Sequence, residues 1–298
     1  MFRAKSLEEL KNIYIFYNNF IKDSYHYALT FSPKASDIFI STYPKCGTTW
    51  LQQILHGLRS HGSMNFDEIN RVIPFLERAL ICDVDLDSQQ VAEPRIFKSH
   101  LKWIDIPKGG RYIISIRDPK DVLISNYYFL KGWWFEPDSI SLQQFSESIY
   151  CSESYGFGRE YWHHLLSWWE QRNNDNVLIL SYEAMKKDIQ QAIRKISAFL
   201  SISLTDRLLE IVTLQSSFEF MSEHKNQFDD HLYRNIVDKA CGLTLGGNSD
   251  KVRKGIVGNY INSLPENISA KLDKIWKEEI TLKTGISSYE ILCDEIPA

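Results

Sequence analysis

The stretch from Asp37 to Arg59, DIFISTYPKCGTTWLQQILHGLR, constrains the fold more than any other part of the chain. Ile38, Phe39 and Ile40 form an apolar run suited to a short strand, whereas Leu51, Ile54, Leu55 and Leu58 recur at helical spacing. A strand therefore feeds a helix through the tight connection Tyr43-Pro44-Lys45-Cys46-Gly47-Thr48-Thr49. Gly47 permits close backbone approach, the helix start presents unpaired N–H groups, and Lys45 adds positive charge, so the loop suits an anion such as phosphate. Taken alone, it also reads as an ordinary strand-to-helix loop with a solvated lysine. Its order departs from the G-x-x-x-x-G-K-[ST] loop of nucleotide triphosphatases, because Lys45 precedes Gly47 and no Lys-Ser/Thr pair is present for magnesium. A metal-dependent kinase or ATPase is disfavoured, and no metal is expected.

With 298 residues, 44% of them hydrophobic, the chain can fill one sizeable α/β core, and a single domain over 1–298 is expected. The net charge of -4 supplies no general basic field, so nucleic acid is not an expected partner and any anionic ligand is small. Cys46, Cys82, Cys151, Cys241 and Cys293 are odd in number and contain no C-x-x-C pair, which fits free thiols in a reducing compartment. Arg3, Lys5, Glu8, Glu9 and Lys11 make the first segment unlike a signal peptide. No run of about 18 apolar residues suggests a membrane span, and a cytoplasmic location is expected.

Ser6 followed by Glu9 predicts a capped leading helix from Leu7 to about Ile21, packed on the outside. Phe66 to Leu80 has helical apolar spacing interrupted by Pro74. RIFKSHL at Arg95–Leu101, RYIISIR at Arg111–Arg117 and the run Val177–Ser181 read as further strands, and Asp118-Pro119 opens a helix in cap and first-turn order. Strands alternating with helices predict an α/β three-layer sandwich: a central, mostly parallel sheet flanked by helices, with ligand at the carboxyl ends of the strands. From Met221 to Lys254 the pattern fades into polar residues and glycines, which predicts a long lid loop over about 222–254.

Lys98 and His100 lie two apart in a predicted strand and so share a face. A neutral imidazole can take a proton from a hydroxyl, and a neighbouring ammonium keeps it neutral. Arg117 ends the next strand and Ser125 follows two helical turns on, a fork and a hydroxyl suited to phosphate; a salt bridge from Arg117 to Asp118 or Asp121 is the competing reading. Arg253-Lys254-Gly255 is a second basic, flexible cluster.

Six ordered segments carry a resemblance. TYPKCGTTW (Thr42–Trp50), FKSHL (Phe97–Leu101), IRDPKDVLISNYYF (Ile116–Phe129), SYEAMKKD (Ser181–Asp188), SSFEFM (Ser216–Met221) and RKGIVGNY (Arg253–Tyr260) occur in the order found in cytosolic sulfotransferases. The chain resembles that family over about residues 35–260, and PFLE at Pro74–Glu77 agrees. The resemblance implies a P-loop-like fold using 3'-phosphoadenosine 5'-phosphosulfate (PAPS), with 3'-phosphoadenosine 5'-phosphate (PAP) as product. It implies that Lys45, Cys46, Gly47, Thr48, Thr49 and Trp50 form the 5'-phosphosulfate loop, that Arg117 and Ser125 bind the 3'-phosphate, and that Arg253, Lys254 and Gly255 close over it. Trp50, Tyr182, Ser216, Phe218 and Met221 match positions around the adenosine. His100 is implied as general base, with Lys45 and Lys98 on the transferring group and Ser125 restraining Lys45 until an acceptor arrives.

The acceptor is expected to be a small apolar or aromatic hydroxyl compound, less readily an amine, held by Phe75, Lys98, His100, Trp133 and Tyr155; Trp134, Phe135, Phe157 and Trp162 add an aromatic reserve. A non-catalytic nucleotide-binding protein of the same fold is the alternative. Three departures stand out. Lys251 replaces the aromatic common two residues before the RKG, the GDWK becomes Gly258-Asn259-Tyr260-Ile261, and the K-x-x-x-T-V-x-x-x-E dimerisation pattern is absent, which leaves a family-style homodimer doubtful.

Overall fold

The computed structural model describes residues 2–152, 159–247 and 251–296. Ser6 caps the first helix, α1 (Leu7–Leu29), by accepting the Glu9 N–H at 3.2 Å. This helix runs well past the expected end at Ile21, because Ser24 and Ala28 continue its buried face. Four strands follow: β1 (Ile38–Ser41), β2 (Ile96–Ser99), β3 (Arg111–Ile116) and β4 (Val177–Ser181). They form one sheet in the order β2-β1-β3-β4, with every pairing parallel. Parallel strands need crossovers, and these are α2 (Thr48–Arg59) with the short α3 (Ile69–Val72), and then α4 (Pro119–Leu130), α5 (Leu142–Phe145) and α6 (Glu160–Trp169). Beyond β4 come α7 (Tyr182–Lys187), α8 (Ile189–Leu200), α9 (Asp206–Gln215), α10 (Phe218–Glu223), α11 (His231–Cys241) and α12 (Glu266–Trp276). All four carboxyl ends therefore open on one rim.

Strand alternation divides the core. Ile38, Ile40, Ile96 and Ile113 join Leu51, Ile54 and Leu55 of α2 and Ile193 and Ile196 of α8 on one face. Phe39, Phe97 and Tyr112 lie on the other, where Phe39 stands in register with both partners. Its ring stacks on theirs at 5.5 and 5.4 Å, a cross-strand aromatic ladder that fixes register.

The Phe66–Leu80 segment breaks at Pro74 as expected, with α3 before it and 3-10 turns at Leu76–Arg78 and Leu80–Cys82 after it. Pro74 supplies no N–H to continue a helix, and its carbonyl instead accepts the Lys98 N–H at 2.8 Å, bridging Phe75 to the edge of β2. The expected lid loop over about 222–254 contains α11, whose Tyr233 and Val237 are buried on one face. No helix among the described residues is long and apolar enough to cross a membrane.

Asp37 and Arg95 precede neighbouring strands and form a buried two-point ion pair, with Nε donating to Oδ1 at 2.9 Å and Nη2 to Oδ2 at 2.6 Å. Asp37 also accepts the Lys34 N–H through its carboxylate and the Arg111 N–H through its carbonyl, so one residue aligns the starts of three strands. Arg95→Leu strands that carboxylate, and urea unfolding is expected to show a loss of about 3 kcal/mol; an unchanged midpoint would remove the pair's structural role.

Candidate functional site

The strand ends surround a cleft of about 380 Å³. Its floor is the loop after β1, where Lys45 and Gly47 both adopt left-handed backbone, with φ of 72° and 94°. A Cβ at Gly47 would lie 3.0 Å from the Tyr182 ring, so the loop demands glycine there. Gly47 offers no side-chain cap to α2, which leaves the helix's first N–H groups facing the cleft end. The Thr42 and Thr48 hydroxyls bond to each other, Ser115 Oγ donates to the Cys46 carbonyl at 2.5 Å, and Arg117 Nη1 donates to the Lys45 carbonyl at 3.3 Å. Cys46 is the exception among the loop residues expected to touch ligand. Its side chain sits in the core, where burial pushes the thiol pKa up, and only its backbone shapes the loop.

One end of the cleft gathers Arg117, Ser125, Tyr182, Ser216, Phe218 and Gly255. Trp50 Nε1 donates to the Ser216 carbonyl at 2.8 Å, and the indole meets Tyr182 edge-on at 5.4 Å. Met221, Arg253 and Lys254 complete this end. Arg117 combines both readings made of it. It pairs with Asp121 at 3.6 Å and donates to the Ile256 carbonyl at 3.1 Å, yet it lines the cleft and keeps its Nε buried without a partner. Asp121 in turn accepts the N–H groups of Gly258 and Tyr260 at 2.8 and 3.1 Å, tying the segment after Arg253 to α4. Gly255 has φ of 59°, and a Cβ there would lie 2.9 Å from the Phe218 ring. Arg117 Nε, Ser216 Oγ and the uncapped first N–H groups of α2 are donors without acceptors, and they fit a phosphorylated nucleotide.

The catalytic candidates meet in the middle. Lys98 Nζ lies 3.3 Å from Asp230 Oδ2, whose carboxylate also contacts Lys251 Nζ and accepts from Asn70 Nδ2 at 2.6 Å. Burial lowers the Lys98 pKa to about 8 against the opposing pull of Asp230. Lys45 is held well below its usual value by burial and by the charges of Lys251 and Arg117. Its Nζ stands 4.0 Å from the Phe129 ring centroid and makes no hydrogen bond to Ser125, although Ser125 lines the same cleft one turn earlier on α4. The expected hydroxyl restraint on Lys45 is thus a cation–π contact in this structure. Lys251, the departure from the family's aromatic residue, is explained by the same cluster, since it supplies Asp230 with a second cation.

His100 Nδ1 lies 2.7 Å from the Thr42 carbonyl, which can only accept, so Nδ1 carries the proton and Nε2 keeps its lone pair. The His100 N–H donates to Glu77 Oε1 at 2.6 Å. Burial and then Lys98 depress the imidazole pKa well below 6.5, keeping it neutral. Phe75 meets this imidazole edge-on at 5.2 Å. Trp133 and Trp134 also line the cleft, with Trp133 anchored by donating from Nε1 to Asp238 at 2.7 Å, whereas Phe135 and Trp162 are core. Tyr155 and Phe157 lie outside the described residues. Sequence reading missed Tyr14, Tyr17 and Asn18 of α1, Arg78, Asp230 and Tyr233, all of which line the cleft. Only the Leu232, Tyr233, Ile236, Val237 spacing of α11 offered a signal for any of them.

The family described as sulfotransferase domain matches residues 35–284. A rabbit (Oryctolagus cuniculus) amine sulfotransferase is 33% identical, covering 84% of this chain and 82% of the relative. Human (Homo sapiens) sulfotransferase 2A1 is 31% identical, covering 82% of this chain and 84% of the relative. Among solved structures, mouse sulfotransferase SULT7A1 complexed with PAP has a TM-score of 0.69 at 22% identity, covering 91% of this chain and 92% of that one. Retinol dehydratase in complex with androsterone and PAP has a TM-score of 0.67 at 18% identity, covering 89% of this chain and 85% of that one, and shares the fold. With its parallel sheet, strand-end cleft and family match over most of its length, the chain belongs to the sulfotransferase family and is a sulfotransferase enzyme.

Proposed function

We infer that this chain transfers a sulfuryl group from PAPS to a hydroxyl of a small, largely aromatic acceptor, with His100 as general base. The observation that carries the reading is the convergence of Lys45, Lys98 and His100 on one cleft that Arg117, Ser125 and the Arg253–Gly255 segment also line. Relatives solved with PAP support the choice of nucleotide. When bound, PAPS supplies an activated sulfuryl group on a good phosphate leaving group.

The chain's residues divide the remaining work. Loop N–H groups and Lys45 hold the 5' end, and Arg117, Ser125, Arg253, Lys254 and Gly255 hold the 3'-phosphate. Trp50, Phe218 and Tyr182 enclose the base, and Ser216 and Met221 border it. His100 Nε2 accepts the hydroxyl proton as the acceptor oxygen bonds to sulfur. The old sulfur–oxygen bond breaks with its electron pair going to the phosphate, and Lys45 and Lys98 neutralise charge developing on those oxygens. Phe75 and Trp133 supply apolar wall to the acceptor.

Transfer of labelled sulfuryl from PAPS to a panel of phenols, alcohols and amines tests the reading. Turnover is expected with phenols or alcohols, and His100→Ala is expected to lose roughly 10²- to 10⁴-fold in kcat while PAP affinity stays unchanged. Full activity in that variant would overturn the base assignment. PAP binding without turnover on the panel would favour a non-catalytic nucleotide-binding protein.

The pH profile is a separate check. Lys98 acts as a cation, and its pKa of about 8 means that kcat/KM for PAPS falls as pH rises through that value. His100, displaced well below 6.5, gives no acid limb at the ordinary histidine position. A flat profile through pH 8 would show that Lys98 charge is not required.

A further inference from the structure

Arg78 lies on the 3-10 turn beside Phe75, at the His100 side of the cleft. Its Nε donates to Tyr233 Oη at 3.1 Å, its Nη2 to Tyr17 Oη at 2.9 Å and its Nη1 to the Glu77 carbonyl at 2.8 Å. All three acceptors are neutral. Among the described residues no carboxylate stands within 4.0 Å of the guanidinium. Glu77, its neighbour, turns one carboxylate oxygen to the His100 N–H, and burial raises its pKa. The rings of Phe75, Tyr17 and Tyr233 surround the guanidinium with centroids at 5.0, 5.6 and 5.9 Å, which removes much of its water.

Counting hydrogens shows what the cluster lacks. A guanidinium has five N–H donors and three are used here. Tyr17 and Tyr233 bond to each other at 2.5 Å, so one hydroxyl hydrogen is consumed and the other remains. Burial holds the Tyr233 phenol protonated. The cluster thus presents spare N–H and O–H donors around a cation whose one neighbouring carboxylate, Glu77, attracts it without touching it and gives its hydrogen bond to His100, an arrangement that favours an anionic oxygen ligand. Tyr17, Tyr233, Arg78, Phe75 and His100 all line the one cleft. Phe75 touches both Arg78 and His100, which puts the base and the cation against one ring.

We propose that Arg78, Tyr17 and Tyr233 form a carboxylate-binding subsite, and that the acceptor is an aromatic hydroxy acid whose hydroxyl faces His100. The inference rests on the sulfuryl-transfer reading for which end of the cleft takes the acceptor. It makes Arg78 a specificity-determining residue of that end.

Calorimetric binding to the enzyme–PAP complex tests it without requiring turnover. The probes are 3-(4-hydroxyphenyl)propanoate and its methyl ester, which differ only in the anionic group. Wild type is expected to bind the acid about tenfold or more tightly over the ester. Arg78→Gln is expected to bring the ratio near one while PAP affinity is unchanged. Tyr17→Phe, which keeps the ring, is expected to lower the ratio severalfold and serves alone if the arginine variant does not fold. Equal binding of acid and ester to wild type, or a preference that survives in both variants, overturns the subsite. Intact acid preference with no sulfuryl transfer to any acceptor would instead count against the reaction and leave the subsite standing.

Discussion

Buried carboxylates allow the cleft to hold its cations together: Asp121 pairs with Arg117, and Asp230 lies against both Lys98 and Lys251. Lys45, Lys98, Arg117 and Lys251 all line one cavity. Two unit charges about 4 Å apart interact by about 4 kcal/mol at an effective dielectric of about 20, so such a cluster opposes folding unless some charge is countered or lost. Asp230 contacts Lys251 directly and Lys98 at 3.3 Å. It sits at the N-terminus of α11 with φ of 55°, and instead of capping its own helix it turns the carboxylate toward the lysines and Asn70. Its pKa is driven down by those cations, so it stays ionised. The residual excess of positive charge is then left for an anionic ligand to neutralise.

The parallel sheet brings these groups together by topology. The loop after β1 carries Lys45, β2 carries Lys98 with His100 just past its last residue, Ser99, and Arg117 follows β3. Tyr182 begins the helix that leaves β4. Each of the four carboxyl ends therefore contributes one wall. Stability and site chemistry are separated along the strands: the Asp37–Arg95 pair and the aromatic ladder align the strand starts and middles, and the charged groups occupy the rim.

Local sequence carried much of this. The strand-to-helix loop and the Ser6 cap depend on neighbours a few residues apart, and both take the expected form; Lys98 and His100 both line the cleft, although β2 ends at Ser99 and His100 stands just past it. What escaped was long-range. Arg78 is defined by Tyr17 and Tyr233, which lie far from it in the chain and approach only when α1 and α11 pack across the 3-10 turns. The polar residues between Met221 and Lys254 concealed α11, because Arg234 and Asp238 are themselves buried beside Tyr233 and Val237, so its inward face does not read as an apolar stripe. Lys251 read as a departure from the family until Asp230 gave it a partner.

The central claim is that this cleft is an anion site whose lysines gain protons when the nucleotide arrives. Lys98 has a pKa of about 8 in the free protein, and Lys45 is also depressed, so a bound polyanion raises both. Titration calorimetry of PAP near pH 8, in buffers of different ionisation enthalpy, reads the protons exchanged on binding. Net proton uptake accompanying tight binding is the expected result; binding with no uptake, or no binding at all, would contradict it.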